Sequence, residues 1–74
     1  MIIKPMREDL AELEHDQWVA WSKQIAATEK ISPERLARWK KLWVPYSQLT
    51  ESYKDDDRKW ADRVLAILSK HKKR

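Results

Sequence analysis

The stretch from residue 7 to 29 most constrains the fold, because it is rich in strong helix formers and contains neither proline nor glycine. Apolar residues recur within it at intervals of three and four, the spacing of one face of an α-helix. These residues are Leu10, Ala11, Leu13, Trp18, Trp21 and Ile25. The pattern predicts a long amphipathic helix.

A shorter second helix is predicted from the signals that start and stop it. Ser32 can cap free backbone N–H groups, and Pro33 suits the first helical turn, where its missing donor does no harm. The helix is expected to run to about Leu42. Pro45 restricts Val44 to an extended conformation, so the helix ends before this corner.

A third helix is predicted from about residue 51 to 69, with Thr50 as its cap. Acidic residues lie toward its start and basic residues follow its end, the polarity that a helix macrodipole favours. Its buried side is expected to comprise Tyr53, Trp60, Ala61, Val64, Ile67 and Leu68. The predicted fold class is therefore all-α, a small bundle of two long helices and one short helix with a short extended Val-Pro-Tyr corner. We divide the chain into an N-terminal arm (1–6), a single helical domain (7–69) and a basic tail (70–74).

The length of the chain limits its core. A domain of 74 residues buries only about 60% of the surface that its unfolded chain exposes. Cysteine is absent and histidine occurs twice, so disulfides and thiolate metal sites are excluded and a reducing compartment is favoured. No apolar run approaches the roughly 20 residues that cross a bilayer, and the start lacks the layout of a signal peptide. We predict a cytoplasmic protein without membrane or metal partners, whose marginal core favours association.

The net charge of +4 is carried by the end of the chain. Four of the 16 basic residues are Lys70, Lys72, Lys73 and Arg74, which leaves 12 basic and 12 acidic residues over positions 1–69. A formally neutral body with a basic end is a weak nucleic-acid signature. Nucleic-acid binding through the second helix and the tail is therefore the weaker alternative.

Catalytic signatures are missing from the sequence. Without glycine there is no phosphate-binding glycine loop, dinucleotide fingerprint or nucleophile elbow. The run from Asp55 to Asp57 cannot direct three adjacent side chains into one site, because successive helical positions are rotated by about 100°. We predict that the protein is not an enzyme and uses no cofactor.

Tryptophan is the most unusual feature of the composition, with five copies in a chain that has no phenylalanine. An indole combines a large apolar surface with one N–H donor, so it suits a core whose edge also recognises a ligand. Trp18 and Trp60 are flanked by apolar residues at helical spacing, and we predict that both belong to the core.

Trp39 and Trp43 allow two interpretations, because the basic residues Arg38, Lys40 and Lys41 are interleaved with them. Aromatic faces beside cations can stack a base and pair a phosphate, as in nucleotide recognition. An amphipathic helix with a solvated basic face explains the same pattern.

His15 and Asp57 are the polar candidates near the apolar faces. His15 precedes Trp18 by three residues, so the two share a side of the first helix, in a structural or a ligand-contacting role. Asp57 falls on the apolar stripe of the third helix and needs a hydrogen-bond donor. Arg58, Tyr46 or backbone N–H groups could supply it, and we expect a structural pairing.

Two blocks of the sequence resemble the RyR domain, a small module found as paired repeats in ryanodine receptor calcium-release channels and singly in bacterial, archaeal and phage proteins. The first block, LAELEHDQWVAW, is similar to the family's opening helix through Leu10, Ala11, His15 and Trp18. The second block, Val44 to Leu68, is similar to its Val-Pro-Tyr corner and acidic Asp-Arg helix. The matching residues there are Val44, Pro45, Tyr46, Leu49, Thr50, Lys54, Asp57 and Arg58. Between the blocks the chain departs from the family's glycine-containing middle.

The resemblance implies a helical, non-enzymatic module that senses a ligand or contacts a partner, with nucleotide-derived signals as the ligands suggested for prokaryotic members. It implies a contact set of His15, Trp18, Tyr46, Asp57 and Arg58, to which the aromatic and basic second helix adds Trp39 and Trp43. We therefore expect a small nucleotide-like ligand between the first helix and the corner. The alternative is a protein-interaction or homo-oligomerisation module that uses a Trp-rich face.

Overall fold

The computed structural model describes residues 5–72 of the chain. Three α-helices follow one another: α1 (Met6–Thr28), α2 (Pro33–Lys41) and α3 (Glu51–Lys72). One turn of 3-10 helix, Tyr46–Gln48, lies between α2 and α3. The described range contains no strand, and the predicted bundle of two long helices and one short helix is confirmed.

The predicted caps hold the starts of α2 and α3. The Ser32 hydroxyl accepts a hydrogen bond of 3.2 Å from the Arg35 N–H, and the Thr50 hydroxyl accepts one of 3.3 Å from the Tyr53 N–H. Pro45 is extended, with φ −57° and ψ 148°, so the chain turns into the 3-10 helix at Tyr46. Each cap satisfies a backbone donor that the first helical turn leaves free.

The helix bounds differ from the prediction mainly at the end of the chain. α3 continues three residues past the predicted end at residue 69, and so includes part of the predicted basic tail. Residues 1–4 and 73–74, which hold most of the predicted arm and the end of that tail, lie outside the described residues. Across residues 5–72, no helix has both the length and the apolar character needed to cross a membrane.

α1 and α3 form an antiparallel pair at the centre of the fold. Arg7 of α1 pairs with Asp62 of α3, whereas His15, two turns later, lies beside Asp57, so the two helices run in opposite directions. Ala11 and Ala61 are completely buried in the core between them. Because alanine is small, the two helix backbones can approach closely here.

The rest of the core comes from the segment between α2 and α3. Tyr46 and Leu49 are buried against the alanines, and the partly buried Leu10, Leu42 and Val44 pack around them. The connecting segment is therefore part of the core and not a loose linker.

The structure corrects the predicted buried face of α3. Tyr53, Trp60, Ile67 and Leu68 are exposed, and of that face only Ala61 is fully buried. The prediction that Trp60 is a core residue is wrong: its ring is 53% exposed and lies 4.9 Å beneath the Arg63 guanidinium. Helix α1 is the main neighbour of α3, and Trp60 points about 100° away from Ala61, which faces that helix.

Helix α1 also carries apolar residues outside the core. Leu13 and Trp21 are exposed, whereas Trp18 is half-buried, so its predicted core position holds only in part. Periodicity identified the apolar stripe of α1 but not how much of it the small domain can cover.

The close approach of α1 and α3 predicts that Ala61 cannot be enlarged without cost. We expect Ala61→Leu to lower the free energy of unfolding by about 1–3 kcal/mol, because the added carbons must displace α1. Ala66→Leu, at an exposed position of the same helix, should change it by no more than about 0.5 kcal/mol. Urea denaturation of both variants measures the difference, and equal stabilities would contradict the proposed packing.

Candidate functional site

An open groove with a volume of about 600 Å³ lies between α1, α2 and the start of α3. Aromatic side chains from all three helices line it, namely Trp18, Trp39 and Tyr53. Arg38 and Lys41 of α2 add two cations to its wall. We refer to the space lined by these five residues as the groove.

The indole rings of the groove support one another. Trp39 meets Trp18 edge to face, with ring centroids 5.9 Å apart and planes at 78°. Trp21 contacts the same Trp39 ring at 5.9 Å and 50°. Edge-on and tilted contacts of this kind are the favoured geometries of aromatic pairs. They attach the short helix α2 to α1 and set the orientation of Trp39.

A smaller cavity of about 260 Å³ adjoins the groove. The two spaces share four lining residues: Trp18, Leu42, Leu49 and Tyr53. The smaller cavity adds His15, Asp56 and Asp57, which we call the acidic end. The groove therefore has cations on its α2 side and carboxylates beyond its other end.

His15 is fixed by a backbone carbonyl. Its Nε2 donates a hydrogen bond of 2.7 Å to the Val44 oxygen, because a carbonyl oxygen can only accept. The other ring nitrogen, Nδ1, lies 4.0 Å from Asp57 Oδ2, and the ring stacks on Trp18 at 6.4 Å. Burial raises the pKa of the Asp57 carboxyl, and the nearby His15 acts in the opposite direction.

Arg58 and Tyr46 belong to a separate cluster centred on Glu8. Arg58 donates to both carboxylate oxygens of Glu8, through Nε at 2.8 Å and Nη2 at 2.9 Å. Its Nη1 donates to Glu51 and Asp55, and the Tyr46 hydroxyl donates to Glu8 Oε1 at 2.9 Å. We call these five residues the Glu8 cluster.

Contacts within the Glu8 cluster shift the pKa values of Glu8 and Tyr46 so that the ion pair between Glu8 and Arg58 is favoured. Hydrogen bonds from Arg58 lower the pKa of Glu8 to about 2, against the opposing effect of burial. Burial and the hydrogen bond to Glu8 raise the pKa of Tyr46 to about 12. At neutral pH Glu8 is therefore ionised, Arg58 is protonated and Tyr46 is neutral. The cluster is a stable ion-pair network.

Trp43 lies away from the groove. Its indole N–H donates to the buried Ser22 hydroxyl at 2.9 Å, and the Lys23 ammonium lies 5.6 Å from its ring centroid. It lines a different cavity of about 450 Å³ beside α1 and the Pro45 corner. The bond to Ser22 satisfies the only hydrogen-bond donor of the indole, as expected of a partly buried tryptophan.

Four of the seven predicted contact residues come together in the structure. Trp18 and Trp39 line the groove, and His15 and Asp57 form part of its acidic end. The other three, Tyr46, Arg58 and Trp43, make the intramolecular bonds described above.

The predicted contact set left out five residues: Glu8, Arg38, Lys41, Tyr53 and Asp56. Glu8 and His15 are seven residues apart, about two helical turns, and this spacing could have placed Glu8 on the α3-facing side of α1. Arg38 and Lys41 had been named as cations beside Trp39 that either pair a phosphate or form a solvated face, but they were not placed in the contact set. Tyr53 had been assigned to the buried side of α3.

Among residues 5–72, no three His, Cys, Asp or Glu side chains form a group that could hold a metal ion. Comparisons of the chain with protein-family models, with curated proteins and with solved structures find no match. The resemblance to the RyR domain stays a prediction.

The Glu8 cluster predicts a specific pH dependence of stability. The folded pKa of Glu8 is about 2 and its ordinary value 4.5, so its contribution is complete above pH 4.5 and is lost as the pH falls toward 2. We expect Glu8→Gln to lower the free energy of unfolding by about 1.5–3 kcal/mol near pH 7, with the difference from the unsubstituted chain shrinking below pH 4.5.

Chemical denaturation at a series of pH values measures this difference. Glu29→Gln, at an exposed position just after α1, is the matched control and should cost little at any pH. A Glu8→Gln penalty that stays constant down to pH 2 would contradict the assignment.

Proposed function

We propose that the protein is a non-enzymatic binding domain that holds a small nucleotide-derived ligand in the groove. The observation that carries this proposal is the convergence of three aromatic rings and two cations on one cavity of about 600 Å³. The volume falls within the range of about 300–1,000 Å³ typical of small-molecule sites.

The aromatic rings supply a surface for a planar base. Trp18, Trp39 and Tyr53 line the same space from three different helices, so a base can stack on one ring and contact another. Stacking on an aromatic side chain is worth about 1–3 kcal/mol per base. The half-buried Trp18 and Trp39 rings lose little side-chain freedom on binding, since each already packs against another ring.

The two cations supply contacts for phosphate. Arg38 and Lys41 are exposed and three residues apart, so their side chains project from one side of α2. Within residues 5–72 neither has a carboxylate at ion-pairing distance, in contrast to Arg58. Arginine can bind phosphate through two parallel N–H donors, and lysine adds a compact positive charge.

The acidic end supplies acceptors for the amino and hydroxyl groups of a nucleotide. Asp56 and Asp57 can accept hydrogen bonds from an exocyclic amino group or from ribose hydroxyls. A simple anion has no donors for these carboxylates, and an aromatic hydrocarbon has no acceptor oxygens for the N–H donors of Arg38 and Lys41. A ligand with phosphate, base and sugar can use all three parts of the site.

The resemblance to the RyR domain favours the same ligand class. Its contact residues His15, Trp18 and Asp57 lie at the groove and its acidic end. Under this proposal the protein senses or sequesters the ligand, and Tyr46 and Arg58 maintain the shape of the site through the Glu8 cluster.

Calorimetry of the full chain with adenine nucleotides and ADP-ribose tests the proposal. We expect at least one compound to bind and to raise the melting temperature. Arg38→Gln should weaken that binding about tenfold, because it removes charge-assisted hydrogen bonds to phosphate. Trp39→Ala should weaken it about tenfold or more through lost stacking.

Arg35→Gln is the matched control for the charge, since Arg35 is exposed on α2 but does not line the groove. Its affinity should stay close to that of the unsubstituted chain. The absence of heat across the panel would refute the proposal, as would equal losses in both arginine variants. Tighter, strongly salt-dependent binding of single-stranded oligonucleotides would favour the nucleic-acid alternative.

A protein-interaction module is the second candidate function. Exposed Trp21 and Leu13 on α1 and exposed Trp60 on α3 favour it, since large apolar side chains at the surface are typical of contact sites.

A further inference from the structure

Helix α3 carries a stripe of exposed apolar side chains, of which Tyr53 also lines the groove while Trp60 and Ile67 lie outside it. Tyr53, Trp60 and Ile67 are 48%, 53% and 55% exposed and are separated by seven residues each. Seven residues are nearly two helical turns, so the three side chains project from one side of α3, within about 40° of one another. An apolar residue at every seventh position supplies one of the two apolar positions per heptad of a helix that pairs with another helix.

The charges of α3 are segregated along the same helix. Residues 51–57 carry four acidic side chains and one basic, a net charge of −3. Residues 58–71 carry four basic side chains and one acidic, a net charge of +3 with histidine neutral. The helix dipole acts only on the first and last turns, so it does not explain the positions of Asp56 and Arg63.

We infer that α3 pairs in antiparallel orientation with α3 of a second copy of the chain. A two-fold axis near Trp60 brings the two indoles together and places each Tyr53 beside the partner's Ile67. The same symmetry sets the exposed Asp56 of each helix close to the partner's Arg63. A parallel pair sets like charges side by side, which is unfavourable.

A second copy of the chain fits this stripe, because the exposed face of α3 is complementary to itself. In a two-fold dimer the same patch serves both subunits, so it must be complementary to itself. The apolar stripe is symmetric about Trp60, and the −3 and +3 halves are interchanged by the two-fold rotation. Because the core of the domain is small, with Ala11 and Ala61 at its centre, burial of Trp60 between two subunits adds apolar contact that the single domain lacks.

Charges beside the stripe are available for pairing between subunits. Within the described range, residues 5–72, the ion pair of Asp56 is a long, exposed intrahelical contact of 3.8 Å with Lys59, and pairs of that kind contribute little. Arg63 lies over the exposed Trp60 ring at 4.9 Å, so its guanidinium already flanks the proposed contact.

Sedimentation equilibrium of the full chain tests the inference. We expect the mass to rise from 9.0 kDa toward twice that value as the concentration increases from micromolar to millimolar. Trp60→Glu should keep the chain at the monomer mass. Leu13→Glu, at an equally exposed apolar position of α1, is the matched control and should leave the dimer intact.

Charge reversal tests the orientation without altering the apolar stripe. Asp56→Arg and Arg63→Glu should each raise the dimer dissociation constant about tenfold, and the double variant should recover most of the affinity. In a parallel pair Asp56 lies beside the partner's Asp56, and Arg63 beside the partner's Arg63. The double variant exchanges the two charges but still sets like charges side by side, so it should recover no affinity.

A chain that stays at 9.0 kDa at millimolar concentration would overturn the inference, as would a Trp60→Glu variant that dimerises normally. A double charge variant no better than the single ones would overturn the antiparallel arrangement. Circular dichroism of each variant checks the fold, and if Trp60→Glu does not fold, the charge variants decide. Tyr53 lines the groove and Asp56 its acidic end, whereas Trp60 and Arg63 lie outside both, so the results for Trp60→Glu and Arg63→Glu do not depend on the proposed ligand.

Discussion

The paired hydrogen bonds between Arg58 and Glu8 hold the three parts of the domain together. Glu8 lies in the first turn of α1, Arg58 in α3, and Tyr46, which donates to the same carboxylate, begins the 3-10 helix. The pair is partly buried and two-pronged, so it contributes more than the isolated surface pairs elsewhere on the chain. A domain with so small an apolar core, and without cysteine for disulfides, depends on such a polar cluster.

The groove follows from this arrangement. With Tyr46 held by Glu8, the preceding Val44 carbonyl is in place to accept from His15, which in turn stacks on Trp18. Trp18 then meets Trp39, and this contact positions α2 with its two cations. The polar contacts of the Glu8 cluster are thus linked through His15 to the aromatic contacts of the groove, and contacts within the chain fix the shape of the groove.

Local sequence signals predicted the elements of the fold, because caps and prolines act within a few residues. Ser32, Pro33 and Thr50 mark helix starts correctly, and only the end of α3 was underestimated. Periodicity could not predict what covers each face of a helix. Trp60 was therefore assigned to the core, although its neighbour Ala61 is the buried residue and Trp60 is exposed. The roles of Tyr46 and Arg58 depend on Glu8, which lies 38 and 50 residues away from them in sequence. Contacts over such separations have no local signature.

The five indole N–H groups provide the most direct measurement of the central claim, because their nuclear magnetic resonance signals report on each tryptophan separately during a titration with adenine nucleotides or ADP-ribose. Trp18 and Trp39 line the groove, whereas Trp43 is bonded to Ser22 and Trp60 lies outside it on α3. We predict that the signals of Trp18 and Trp39 move in a saturable way while those of Trp43 and Trp60 stay in place. Saturable shifts confined to Trp43 or Trp60, or no shift with any compound, would contradict the account.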